Sequence, residues 1–255
     1  MSGFFYNLGR QLGRKAVPTI RKSKYIWDGV AGTEEEALRA ETVLGNDMAI
    51  ELRAVLKPLA DPPLAAMVQE LCQQLSARLR DKRRIFSCQV LCDPLPNAMA
   101  LPGGFLFVSH SLADLCERDP QQLAFVIGHE MAHVVRGHAW DRMINEAALR
   151  MASTVTARVG PVGNWLRQQG FALLRSAYDQ DCESEADELG LRLAVAAGFD
   201  PAGAVALLQR VQRLEPKVTE LGQYFASHPP ASHRIARLAR LHRQLEAARA
   251  GSPGQ

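Results

Sequence analysis

The eleven residues GHEMAHVVRGH, at positions 128–138, constrain the fold of this chain more than any other stretch. His129 and His133 are four residues apart, so on an α-helix both imidazoles project from one face, one turn apart. The preceding residues DPQQLAFVIG are largely apolar and predict that this helix is buried. Buried imidazole and carboxylate groups need partners that offset their desolvation, so a metal ion is the favoured partner. The alternative is a surface helix whose polar side chains meet water.

Glu130 follows the first of these histidines and completes an HExxH pattern. At that position a carboxylate can contact a metal-bound water without ligating the metal itself. Catalytic zinc usually has three protein ligands and one open position, so a third ligand must come from elsewhere in the chain. His138 is the nearest histidine, but it lies about 140° around the helix from His133. We therefore expect His138 to brace the end of the helix rather than to bind metal.

The acidic segment DQDCESEADELG, residues 179–190, supplies the third ligand in our interpretation. Its carboxylates lie where the first turn of a helix is expected, and Glu183 and Asp187 share one face because they are four residues apart. A glutamate ligand with an aspartate one turn on would complete the zinc site and orient a liganding histidine. The alternative is the solvated acidic start of an ordinary helix.

The remaining periodicity predicts an α+β fold that is mainly helical, with a small sheet confined to the first half. A capping-box signature opens a helix over 33–57, and a second helix is expected over 63–80. Strands are expected over 83–93 and 103–109, with NAMALPGG between them as an extended edge. Further helices are predicted over 121–138, 140–158, 162–178, 182–197, 201–213 and 231–248.

Composition and charge indicate one globular domain over 33–249, preceded by a basic arm at 1–32 and followed by a disordered tail at 250–255. The arm holds six Lys and Arg against Asp28, so the basic excess is local. Residues 1–24 favour either peripheral docking on a membrane surface or a solvated arm that tucks against the domain. Nucleic-acid binding is not expected, because neither an aromatic-interleaved sheet motif nor finger spacing accompanies this charge.

The cysteines and the hydropathy pattern bear on cellular location. The five cysteines form an odd set without paired short spacings, and the N-terminus lacks the continuous apolar core of a secretory signal. No window approaches the ~18 uninterrupted apolar residues of a membrane span. These features predict a cytoplasmic protein with free thiols, and the sequence makes no prediction of its oligomeric state.

Four motifs in a fixed order resemble the HtpX-like and CAAX-prenyl-protease-like zinc metallopeptidases of the gluzincin group. They are NAMALPGG at 97–104, HEMAH at 129–133, ESEAD at 183–187 and SHPPASHRI at 227–235, within a resemblance that covers about residues 60–245. The resemblance implies a minimal gluzincin form of the zincin fold with one zinc ion per chain. It also implies that Glu183, rather than Glu185, is the third ligand beside His129 and His133.

The same resemblance implies a place for a peptide substrate. The edge formed by Asn97, Ala98, Met99 and Ala100 would pair with an extended peptide through main-chain hydrogen bonds. An ordinary turn into the following strand is the alternative interpretation of these residues.

The SHPPASHRI motif implies roles for two further residues. His228 would approach the zinc from a C-terminal loop, where it either fills the open position in a resting state or steadies the oxyanion of the reaction. A surface-loop histidine is the alternative. Arg234 would pair with a carboxylate near the site.

These expectations together predict a zinc-dependent endopeptidase that hydrolyses extended or unfolded protein segments, with Glu130 as general base on a zinc-bound water. His228 and Arg234 would help to stabilise the tetrahedral oxyanion. A prenylated substrate is not expected, because this sequence shows none of the membrane-spanning helices of the membrane-embedded relatives. The alternative is a zinc-containing peptide-binding or chaperone-like module in which His228 plugs the metal permanently.

Overall fold

The computed structural model describes residues 33–144, 178–214, 228 and 232–250. The predicted basic arm and nearly all of the predicted tail lie outside these ranges. Of the helices predicted over 140–158 and 162–178, residues 138–144 are described and helical, and Tyr178 is described. The rest of those two predictions falls outside the described residues.

The first two helices begin where the sequence predicts. Helix α1 spans Glu34–Val55, and its capping box is complete: Thr33 Oγ1 accepts from the Glu36 amide, and the Glu36 carboxylate accepts from the Thr33 amide. Helix α2 spans Pro62–Ser76 and ends before the predicted boundary. At its C-terminus the Lys82 ammonium donates to the carbonyl oxygens of Ser76 and Ala77. In a longer helix these oxygens would accept hydrogen bonds from backbone amides of the next turn.

A three-stranded mixed sheet follows, made of β1 (Ser87–Leu91), β2 (Ala98–Leu101) and β3 (Phe105–Ser109). The central strand β3 runs parallel to β1 and antiparallel to β2. Within the described residues β2 is therefore an edge strand, in agreement with the extended edge expected from NAMALPGG. The turn Pro102–Gly104 joins β2 to β3, and its two glycines have φ of 81° and 98°, values that strongly favour glycine.

The strand predicted over 83–93 is shorter than expected, because β1 begins only at Ser87. The preceding residues are held by ion pairs to α1 instead of by the sheet. Arg83 contacts Glu34 at 2.8 Å, and Arg84 contacts Glu41 at 2.8 Å.

Besides the helical residues 138–144, the described part of the chain contains the helices α3 (His110–Leu115), α4 (Pro120–Val135), α5 (Gln180–Ala196), α6 (Ala202–Leu214) and α7 (Ser232–Ala250). The sequence did not predict α3, which has only six residues. Helix α1 packs on one face of the sheet, and α2 and α4 pack on the other. This mainly helical architecture with a small sheet in the first half confirms the predicted fold class. Within the described ranges, no helix combines the length and the apolar character needed to cross a membrane.

Helices α4 and α5 cross in backbone contact at two glycines. A Cβ atom at Gly128 would lie 2.9 Å from the carbonyl oxygen of Gly190, and one at Gly190 would lie 2.7 Å from the backbone nitrogen of His129. Any larger side chain would push the two helices apart. The crossing therefore brings the first turns of α5 directly over the HExxH residues of α4.

Candidate metal centre

Helix α4 carries both predicted histidine ligands on a buried face. Pro120 lies in the first turn, and the side chain of the N-cap residue Asp119 accepts a hydrogen bond from the backbone amide of Gln121. His129 and His133 are completely buried, and their Nε2 atoms lie 3.1 Å apart. The four-residue spacing thus aims both rings at one point.

Helix α5 brings a carboxylate to the same point. Asp179 caps the helix by accepting from the Cys182 amide, so Glu183 lies in the first turn, over α4. Its Oε1 is 3.4 Å from His133 Nε2, and its Oε2 is 3.6 Å from His129 Nε2. Glu185, the other candidate ligand, has a half-exposed side chain and does not join this cluster.

His228 is the fourth member of the cluster. Its Nδ1 lies 2.8 Å from Glu183 Oε1 and 3.3 Å from His129 Nε2, and the residue is buried. One ligand atom from each of the four residues lies within 4.8 Å of the other three. The burial of His228 favours the predicted approach to the site, and its role there stays a prediction.

The spacing of these four atoms fits a tetrahedral metal site. Zinc bonds of about 2.0–2.2 Å in a tetrahedron imply ligand-to-ligand distances of about 3.3–3.6 Å. Among Nε2 of His129 and His133, Oε1 of Glu183 and Nδ1 of His228, the separations given above are 2.8, 3.1, 3.3 and 3.4 Å, and the widest spacing in the cluster is within 4.8 Å. Lone pairs of buried imidazoles and a carboxylate that face one another repel unless a cation lies between them. The donor set and its burial therefore fit zinc.

A buried ion pair surrounds the ligands. Arg234 Nε and Nη2 each donate to one oxygen of Asp187 at 2.7 Å, a bidentate contact. Asp187 Oδ1 also lies 3.1 Å from His129 Nδ1, within hydrogen-bonding distance but poorly aligned. Arg234 Nη1 contacts Glu183 Oε2 at 2.8 Å and donates to the carbonyl oxygen of His228 at 3.2 Å. One guanidinium thereby connects both carboxylates with the His228 backbone.

The electrostatics of the cluster keep both carboxylates ionised. Burial alone would raise the pKa of Glu183, but the charges of His228 and His129 outweigh it and hold that pKa far below its usual range. Burial likewise opposes ionisation of Asp187, yet hydrogen bonds from Arg234 and His129 lower its pKa.

The two histidines of α4 differ in their tendency to hold a proton. Burial holds the pKa of His133 well below its usual value, so its imidazole is neutral and has a lone pair to offer. Burial opposes protonation of His129 as well, but Asp187 and Glu183 outweigh it and raise the pKa of this ring. A proton therefore competes with a metal ion more strongly at His129 than at His133.

Glu130 is buried beside the cluster but is not part of it. Among the described residues, its Oε1 has no hydrogen-bond partner, and His228 Nε2 lies 3.5 Å away. A buried carboxylate oxygen without a partner is costly unless a ligand or a water satisfies it. This oxygen is suited to accept a proton from a water in the site.

Two aromatic residues next to His133 received no metal-site role from the sequence. Tyr178 stacks on the His133 ring with centroids 4.2 Å apart and lies 5.6 Å from the His228 ring. Burial raises the pKa of its phenol, which therefore stays neutral. His138, expected to brace the helix end, has its Nδ1 2.9 Å from Nδ1 of His133. The sequence feature that could have indicated Tyr178 is its position directly before Asp179, the N-cap of α5.

The predicted substrate residues lie at the edge strand β2. Ala98 and Ala100 point into the core shared with α4, whereas Met99 lines a small apolar pocket on the opposite face of the sheet. The Asn97 amide donates to Ser109 Oγ and so joins the end of β3. Since these side chains are largely buried, main-chain groups are what β2 can offer to a peptide. Substrate binding at this edge stays a prediction.

Comparison with known proteins supports the chemistry of this site. The sequence model described as Peptidase family M48 matches residues 58–242. The mitochondrial metalloendopeptidase OMA1 of Schizosaccharomyces pombe is 31% identical over 153 residues, which are 58% of this chain and 44% of the relative. The beta-barrel assembly-enhancing protease of Yersinia pestis is 26% identical over 211 residues, which are 77% of this chain and 42% of the relative.

A third relative, the metalloendopeptidase OMA1 of Bos taurus, is 31% identical over 169 residues, which are 60% of this chain and 31% of the relative. The chain therefore spans less than half the length of these three curated relatives. The family match includes the four motifs on which the resemblance was based, and it confirms that resemblance and the predicted class of metallopeptidase. Because the match covers more than two thirds of the chain, this protein belongs to peptidase family M48.

Proposed function

We propose that this protein is a zinc-dependent endopeptidase that hydrolyses peptide bonds in extended or unfolded protein segments. The observation that carries the proposal is the convergence of His129, His133 and Glu183 beside a buried Glu130 whose Oε1 has no hydrogen-bond partner in the part of the chain that the structure describes. Membership of family M48 supports the proposal, as do relatives named as metalloendopeptidases.

Three residues would hold one zinc ion per chain: His129, His133 and Glu183. When bound there, zinc supplies Lewis acidity, which lowers the pKa of water and polarises a carbonyl group. Arg234 and Asp187 keep the Glu183 carboxylate and the His129 ring in place through the contacts described above. Arg234 is too firmly engaged with these carboxylates to contact an oxyanion without breaking its bidentate pair, so positioning is its primary role in this proposal.

Glu130 is the proposed general base. Its buried carboxylate takes a proton from the attacking water and later gives that proton to the departing amine. General acid–base catalysis of this kind contributes about 10²–10⁴-fold in rate. Glu130 is not required to hold the metal, since its Oε1 faces His228 rather than the shared point of the four donor atoms.

His228 has two proposed roles that follow one another. With zinc bound, His228 Nδ1 would be a fourth donor and would occupy the position that a catalytic zinc site leaves open. A substrate carbonyl can enter only when this imidazole withdraws. After that withdrawal the ring would donate a hydrogen bond to the developing oxyanion.

A second candidate function rests on the same contact. If His228 never withdraws, the protein is a zinc-containing peptide-binding or chaperone-like module. The 2.8 Å approach of its Nδ1 to Glu183 Oε1 favours this alternative. The buried base Glu130 argues against it, because a binding module has no use for a base beside the metal.

Cleavage of an unfolded, alkylated model protein by the zinc-loaded full chain tests the proposal. We expect cleavage that a chelator abolishes. The Glu130→Gln variant should keep its zinc and lose about 10²–10⁴-fold in rate. Glu185→Gln, an exposed neighbour of the site, is the matched control and should cleave like the wild type.

His228→Ala separates the two candidate functions. An enzyme gated by His228 retains measurable cleavage or gains it in this variant, because the open position is exposed. If neither the wild type nor His228→Ala cleaves while both hold zinc, the endopeptidase proposal is wrong and the binding module is favoured.

Location and partners complete the proposal. A protein or peptide is the substrate, and a cytoplasmic site of action with peripheral membrane contact through residues 1–24 stays a prediction. Sedimentation of the full chain with anionic vesicles, compared with a chain that begins at Thr33, measures that contact.

A further inference from the structure

We propose that His138 is a positioning residue for the metal site, which holds the His133 imidazole in the tautomer and orientation that direct its Nε2 to the shared point of the ligand atoms. This inference rests on the proposed zinc site. It adds a residue outside the four-residue cluster and outside the Asp187–Arg234 ion pair.

The backbone after α4 explains how His138 reaches the site. Helix α4 ends at Val135, and Gly137 has φ of 75°, a left-handed conformation that ends the helix and redirects the chain. The His138 ring therefore returns to α4 instead of lying about 140° away, as it would on a continuous helix. Its Nδ1 lies 2.9 Å from Nδ1 of His133, and its side chain is 9% exposed.

Proton positions follow from the direction of each ring nitrogen. His133 Nε2 faces the cluster, 3.1 Å from His129 Nε2 and 3.4 Å from Glu183 Oε1, so this nitrogen must carry the lone pair that a metal binds. In a neutral imidazole the hydrogen is then on Nδ1. His133 Nδ1–H donates to Nδ1 of His138, which accepts and keeps its own hydrogen on Nε2.

The outer nitrogen of His138 has a suitable neighbour. Its Nε2 lies 3.8 Å from Glu185 Oε2, and the same carboxylate oxygen is 3.5 Å from Arg136 Nε. Glu185 is half exposed and beyond hydrogen-bonding distance, so the direct contact between the rings, and not this carboxylate, sets the His138 tautomer with hydrogen on Nε2.

His138 contacts Nδ1 of His133 in the same way that Asp187 contacts Nδ1 of His129. Each liganding imidazole presents Nε2 to the cluster and has a buried acceptor near Nδ1: Asp187 at 3.1 Å for one and His138 at 2.9 Å for the other. Metal-ligating histidines usually have such a partner, and its loss typically costs about 10–100-fold in metal affinity. Tyr178 stacks on the His133 ring but offers no acceptor in its plane, so it does not replace His138.

Three substitutions at one position distinguish this role from simple packing. His138→Asn keeps a polar amide atom where Nδ1 stands, His138→Gln moves the amide to the position of Nε2, and His138→Leu removes it. We expect zinc affinity close to the wild-type value for His138→Asn. For His138→Gln and His138→Leu we expect a loss of about 10–100-fold.

The measurement is competition between zinc-free full chain and a chromophoric chelator. The visible absorption spectrum of the cobalt-loaded protein is the second readout, and it should change in His138→Leu and His138→Gln but not in His138→Asn. A role in bracing the helix alone would lower the melting temperature of the zinc-free protein in all variants and leave zinc affinity and the cobalt spectrum unchanged.

Two outcomes overturn the inference. Wild-type zinc affinity in His138→Leu, or equal affinities in the Asn and Gln variants, would show that the Nδ1 contact does not position His133. In both of these cases the proposed function survives, since the wild type still binds zinc. Failure of the wild type to bind zinc at all would overturn the proposed zinc site itself, and this inference with it.

Discussion

Two buried carboxylate–arginine groups in this protein differ in how fully their polar atoms are hydrogen-bonded. Near the sheet, Glu41 accepts from Arg84 at 2.8 Å and from the Gly103 amide at 2.9 Å, so both of its oxygens are satisfied by the chain. At α5, Glu183 and Asp187 share Arg234, and they face imidazole nitrogens that also face one another.

The difference lies in what remains unsatisfied. Around Glu41 the donors and acceptors match, and the pair connects α1 to the turn between β2 and β3. Around Glu183, carboxylate oxygens and imidazole nitrogens converge on one another at 2.8–3.6 Å. Within the described ranges, buried atoms without an aligned hydrogen bond lie there in His129, Glu130 and Glu183. A satisfied buried ion pair stabilises the fold, whereas a surplus of converging lone pairs indicates a site for a cation.

Breaking the satisfied pair should have the largest effect on stability. Arg84→Met leaves Glu41 buried without its main partner, and loss of one member of a buried pair costs about 3 kcal/mol, near the lower end of the usual range because Arg84 is partly exposed. Urea unfolding measures this cost. Zinc affinity of the folded variant should not change. The adjacent Arg83→Met, whose partners are exposed, is the matched control and should unfold almost like the wild type.

Separating the two site helices should affect stability and metal binding together. Gly190→Ala places a Cβ against the α4 backbone, and overpacking of this kind costs about 1–3 kcal/mol. Because α5 carries Glu183, zinc affinity should fall in the same variant. Arg192→Ala, on the exposed face of α5, is the control. Unchanged zinc affinity in Gly190→Ala would mean that the crossing does not set the ligand geometry.

Removing the charge next to His129 should lower metal affinity, and it should also cost some stability because Arg234 keeps Glu183 but loses the charge of Asp187. Asp187→Asn weakens the contacts with Arg234 and His129, and loss of such a partner lowers metal affinity about 10–100-fold. Chelator competition measures the loss. Glu188→Gln, at the adjacent and more exposed position, serves as control, since among the described residues Glu188 pairs with the surface arginines Arg192 and Arg237. An Asp187→Asn affinity equal to wild type would contradict the assigned role of Asp187.

Local spacing explains what could be predicted from the sequence. The pairs His129–His133 and Glu183–Asp187 each share a helix face because of the helical period, and the capping box at Thr33 depends on residues three apart. These signals lie within one or two helical turns, so a single sequence contains them.

Long-range geometry explains what could not be predicted. Strands β1 and β3 pair in parallel although β2 lies between them in the chain. No local pattern in the sequence indicates this pairing. The approach of His138 to His133 depends on the positive φ of Gly137, which breaks the helical angle assumed from spacing. Tyr178 reaches His133 only because α5 crosses α4 at Gly128 and Gly190. Each of these features depends on where the chain changes direction.

Metal analysis of the purified full chain and two variants tests the central claim most directly. We predict one zinc per wild-type chain, loss of that zinc in Glu183→Gln and its retention in Glu185→Gln. Glu183 is buried among the imidazoles, whereas Glu185 is half exposed. Zinc that stays in Glu183→Gln, or disappears only in Glu185→Gln, would contradict the claim that the α4–α5 crossing builds the metal site.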